Sequence, residues 1–80
     1  MAVDGKYGKV TFEKEPHTPI PDDEPVFIFR AQDELANIVL LEYMEICRQH
    51  GCDDKHVAAI GDAYERFVAW GEDHATKLPD

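Results

Sequence analysis

The sequence predicts an α+β fold, a short two-stranded β-hairpin or ribbon followed by an antiparallel two-helix hairpin. Three observations carry that expectation. Val26-Phe27-Ile28-Phe29 is a continuous apolar run of strong β character. Residues 33–50 and 53–70 each repeat apolar side chains at helical spacing. Gly51 and Cys52 leave only a two- or three-residue turn between the two stretches, which favours antiparallel neighbours. Eighty residues suffice for one small domain and exclude a second independent core.

Taken in order, residues 1–6 read as a flexible N-terminus, and Tyr7–Phe12 (Tyr-Gly-Lys-Val-Thr-Phe) reads as the first strand because it concentrates aromatic and β-branched residues. Residues 13–25 hold Pro16, Pro19, Pro21 and Pro25 together with Asp22, Asp23 and Glu24. Proline at that density removes backbone donors and biases its neighbours to extended conformations, so this acidic segment reads as an irregular loop, either a connector or a docking segment. Val26–Phe29 is the second strand, with both faces in need of cover. Pairing it with the first gives a sheet that is marginal without helices over it or a second subunit beside it.

The first helix is expected over Asp33–His50. Asp33 can accept from the free amides of the first turn, Arg48 and His50 suit the negative end, and Gly51 supplies a left-handed terminator. Its apolar residues outnumber one face. Leu35, Val39, Tyr43 and Ile46 form one stripe, Leu40, Met44 and Cys47 a second, and Leu41 lies among polar positions. A lone 80-residue chain can hardly bury both, which marks Leu40, Leu41 and Met44 as candidates for a homodimer interface. The second helix starts at Asp53 as N-cap and carries one face, Val57, Ile60, Tyr64 and Phe67, with Trp70 near its end. Gly61 within it is either a point of close approach of the two helices or a simple tolerated glycine, and residues 75–80 read as a flexible tail.

Seventeen acidic against eight basic side chains give a net charge of -9, spread as -3, -2 and -4 over residues 1–25, 26–51 and 52–80. Phosphate backbones are bound by displacing counterions with lysines and arginines, so direct nucleic-acid binding is not expected. Neither a run of about 20 apolar residues nor a signal-peptide pattern is present, and two cysteines are too few for a disulfide framework. A cytoplasmic protein without membrane contact is expected.

Cys47, His50, Cys52 and His56 lie within ten residues and are all zinc-ligand types, in the spacing Cys-x2-His-x-Cys-x3-His. That spacing departs from the usual paired knuckles, and the simpler reading has Cys47 as a packed core thiol with the other three at helix ends and in the turn, so no metal or cofactor is expected. Arg30-Ala31-Gln32-Asp33 precedes a helix N-terminus, but Asp33 occupies that position itself and repels an anion. Serine is absent, no nucleophile and base or carboxylate pair has useful spacing, and no glycine-rich phosphate loop occurs, so an enzyme is not expected. Asp22, Asp23 and Glu24 could meet a basic partner, with Leu41 and Trp70 as desolvated anchors.

The stretch Asp23-Glu24-Pro25-Val26-Phe27-Ile28-Phe29-Arg30-Ala31-Gln32-Asp33, the Gly51-Cys52 turn and the ending Phe67-Val68-Ala69-Trp70 resemble small, acidic, uncharacterised proteins encoded by bacteriophages and prophages. The resemblance covers residues 22–70. It implies a non-enzymatic accessory factor in the host cytoplasm, a stoichiometric inhibitor of a host protein with a basic surface, including inhibitors of the anti-CRISPR type. The alternatives are a homodimeric structural or accessory phage protein and a small zinc-stabilised module.

Overall fold

A computed structural model describes residues 2–4, 8–10 and 20–79 of the chain. Two helices, α1 (Ala36–Gln49) and α2 (Asp54–Asp73), fold back on each other as a hairpin. No helix among the described residues is long and apolar enough to cross a membrane.

The entry to α1 is built by Asp33. Its carboxylate Oδ1 accepts from the Leu35 amide at 2.9 Å and its carbonyl from the Ala36 amide at 3.0 Å. Residues 33–35 are therefore a capped turn, and regular helix starts three residues later than the expected Asp33. The exit is a Schellman turn. The Gly51 amide donates to the Arg48 carbonyl (3.1 Å), the Cys52 amide donates to the Cys47 carbonyl (2.9 Å), and Gly51 sits at φ 71°. Asp53 caps α2 as expected, its side chain accepting from the Lys55 amide at 2.9 Å, with Asp54 in the first turn where the helix dipole favours it. The helix continues through Gly71 to Asp73.

Between the helices lies a thin core. Cys47, Val57 and Ile60 are buried together, and Leu40 and Met44 pack against them. Ala36 is buried at the start of α1. At Gly61 a Cβ would lie 3.4 Å from Met44 Sδ, ordinary van der Waals contact, so the helices leave room for a side chain there and the glycine is a tolerated one. The stripe Leu40, Met44 and Cys47 is thus the seam of the hairpin. α2 packs over Met44 and part of Leu40, while Leu41 stays exposed on the other flank.

The α+β expectation is corrected: the described architecture is a helical hairpin. Val26–Phe29, which carried the strand prediction, forms no strand. It keeps the two-residue alternation, with Val26 and Ile28 half-buried and Phe27 and Phe29 outward, their rings edge to face at 5.1 Å. The strand pairing among the described residues is a three-residue ribbon, Ala2–Asp4 (β1) antiparallel to Gly8–Val10 (β2), with Ala2 opposite Val10, and neither strand contacts a helix. Closing that short local loop costs less chain entropy than bringing residues 7–12 to 26–29 across the proline segment, so β2 has a different partner from the expected one. Tyr7, Thr11, Phe12 and the loop residues 13–19, Pro16 and Pro19 included, lie outside the described residues.

Beyond α2 the chain turns back. The Lys77 amide donates to the Gln32 carbonyl and the Glu34 amide to the Lys77 carbonyl, both at 2.9 Å, so a parallel bridge ties the expected flexible tail to the segment entering α1.

Candidate interaction surface

Successive residues of a helix advance by about 100°, and that rotation separates the two apolar stripes of α1. With Leu40, Met44 and Cys47 turned to α2, the residues Leu35, Val39 and Ile46 point about 120° away around the helix, flanked by Ile38 and Tyr43. All five are exposed, Ile38 at 55% and Ile46 at 49%. Phe29 from the preceding segment reaches the same face, and with Ile38, Val39, Leu40, Tyr43 and Ile46 it lines an open apolar groove of about 700 Å³ interrupted by a single carboxylate, Glu42. Phe27 is 74% exposed beside Phe29. Among the described residues, ten large hydrophobic side chains are exposed, while four hydrophobic residues are buried. Scattered exposed leucines need no explanation, but a contiguous aliphatic and aromatic face on one helix is the kind of surface that marks a partner site.

Arg48 is paired with Glu45 at 3.3 Å and Arg66 with Asp62 at 3.1 Å, both on the wet surface, where such pairs contribute little to stability. Asp22, Asp23 and Glu24 are exposed in and beside the turn closed by the Glu24 amide on the Pro21 carbonyl (3.2 Å). Leu41 lies in an adjoining shallow patch with Glu45 and Gln49, which shares Glu42 and Ile46 with the groove. Trp70 is partly exposed and stacks on His74, ring centroids 3.9 Å apart and planes 6° from parallel, while His74 Nδ1 lies 2.8 Å from the Trp70 carbonyl. The proposed partner residues Asp22, Asp23, Glu24, Leu41 and Trp70 are therefore all at the surface, but they do not form one site. Sequence reasoning passed over Ile38 and the phenylalanines 27 and 29; the alternation of residues 26–29, read as one covered and one open face, was the available signal for the latter.

Of the zinc-ligand candidates, Cys47 is buried, His50 ends α1, and His56 Nε2 lies 3.3 Å from the Tyr43 hydroxyl with the two rings edge to face. Among the described residues no three histidine, cysteine, aspartate or glutamate side chains are arranged to hold a metal. The neighbouring Cys47 thiol, ahead of any burial, holds both the Tyr43 hydroxyl and the Cys52 thiol above their ordinary pKa values. No known protein family, curated protein or solved structure matches the chain.

Proposed function

We propose that this chain is a small acidic protein-binding module that acts by stoichiometric occlusion and not by catalysis. The observation that carries this reading is the contiguous exposed face Leu35, Ile38, Val39, Tyr43 and Ile46 on a helix whose other stripe is already used. The expected partner is a protein offering an apolar groove rimmed by basic residues: aliphatic and aromatic anchors supply the desolvated centre, and the net charge of -9 speeds encounter and adds specificity. Taken with the resemblance to phage proteins, the module fits an inhibitor of a host protein in the host cytoplasm, one whose basic surface ordinarily meets nucleic acid. A photo-crosslinking residue placed at Glu42, within the face, tests this in bacterial lysate against the same residue at Glu65 on the outer side of α2. The reading requires capture of a protein from position 42 only, weakened by rising salt and competed by nucleic acid. Equal capture from both positions, insensitive to salt, refutes it.

A second reading, self-association, has its own support. An antiparallel pairing of two α1 helices centred between Leu40 and Leu41 sets Leu35 against Ile46 and Ile38 against Tyr43, apolar on apolar, completing a four-helix arrangement around a core that is thin in one copy. Sedimentation over a range of concentrations decides between monomer and dimer.

A further inference from the structure

We propose that Cys47 and Cys52 are a thiol pair that takes a small-molecule disulfide as substrate and closes an intramolecular disulfide across the turn ending α1. The Schellman turn builds the geometry. It places these two cysteines at the positions whose side chains normally meet in that motif. The 2.9 Å bond from the Cys52 amide to the Cys47 carbonyl, with standard backbone lengths, holds the two Cα atoms within about 6.8 Å, inside the range a disulfide spans. The exposures of the two thiols divide the chemistry. Cys52 is exposed and Cys47 is 4% exposed, against Val57 and Ile60. The Cys52 thiolate attacks one sulfur of the incoming disulfide, releasing its other half as a thiolate and leaving a mixed disulfide on Cys52. Cys47, having lost its proton to solvent, attacks the Cys52 sulfur and expels the second thiolate. Two protein thiols are oxidised and one external disulfide is reduced to two thiols.

The full chain is equilibrated with mixtures of glutathione and glutathione disulfide, quenched with acid and weighed by mass spectrometry. The expected product is a monomer lighter by two hydrogens. Trypsin cuts after Arg48, between the two cysteines, so peptides 31–48 and 49–55 should remain joined until reduction. Cys47→Ala should trap the glutathione adduct on Cys52, whereas the parent passes through it. Needing no variant, the equilibrium constant for closure should be roughly 40-fold larger in the native chain than in urea, the ratio expected when the fold has already closed a six-residue loop. Accumulation of the adduct in the parent, disulfide-linked dimers as the main product, or a native constant no larger than that in urea would each overturn the assignment.

Discussion

Replacing Ile38 and Ile60 in turn by alanine separates the face that folds the chain from the face that faces outward. Each change removes three carbons, about 2.4 kcal/mol if the side chain is fully buried. Ile60 is 6% exposed between the helices, so Ile60→Ala should forfeit nearly all of that and leave a cavity, costing about 2–4 kcal/mol. Ile38 already has about half its surface in water. Its loss should cost about 1.1 kcal/mol, offset by about 0.4 kcal/mol of better helix propensity, a net change near 0.7 kcal/mol. Association should respond in the opposite order. A partner covering the remaining half of Ile38 loses about 1.3 kcal/mol when it is truncated, close to tenfold in affinity, and a symmetric dimer loses it twice, about 70-fold. Urea unfolding followed by circular dichroism reads the first quantity; sedimentation and the position-42 crosslink read the second. If Ile38→Ala unfolds the chain as readily as Ile60→Ala, or leaves every association untouched, the face has been misassigned.

The two glycines of the hairpin should respond with opposite signs. Gly51→Ala meets no atom within 4 Å but forces a side chain into φ 71°, costing about 1 kcal/mol, whereas Gly61→Ala gains about 0.5–1 kcal/mol of helix propensity against a small shift of the flexible Met44; thermal melts should move by several degrees down and up respectively. Asp53→Ala removes the α2 cap and should cost about 1 kcal/mol in the same assay. Stability should also fall as pH rises past about 9. Cys52 and Tyr43 are both raised in the folded chain above their ordinary 9.0 and 10.0, so the unfolded chain loses those protons first and folding opposes it. A parallel consequence is slow alkylation of Cys52 at neutral pH, accelerating into the alkaline range; an iodoacetamide rate matching that of an unstructured cysteine peptide contradicts this.

The helices were legible because their signals are local. Asp33, Gly51 and Asp53 satisfy the backbone groups at helix ends, and Val57 and Ile60 repeat at the spacing of one face. The choice between the two stripes of α1 was not local. Both have helical spacing, and which one meets α2 is settled only by the tertiary packing of Leu40, Met44 and Cys47 with Val57 and Ile60. The strand expectation failed for a related reason. A β-prone run such as Val26–Phe29 needs a ladder partner, and partner choice depends on loop closure that the run itself does not encode. Likewise the docking of Lys77 on Gln32 and Glu34 rests on backbone groups alone, which carry no residue signature.

Charge decides between the two occupants of the α1 face, and Glu42 is where it can be measured. Two copies of this chain bring together two charges of -9, so self-association should strengthen as the Debye length falls from about 30 Å at 0.01 M salt to about 8 Å at 0.15 M. A basic partner gives the reverse dependence. In the antiparallel pairing of two α1 helices, Glu42 lies opposite Val39, where its carboxylate is stripped of water without a counter-charge. Against a basic rim it gains one. Glu42→Gln should therefore tighten a homodimer and weaken a complex with a basic protein by up to severalfold, the range of a rim ion pair of about 0.2–1 kcal/mol. Tightened self-association that also grows with salt would assign the face to a second copy and remove the case for a foreign basic partner.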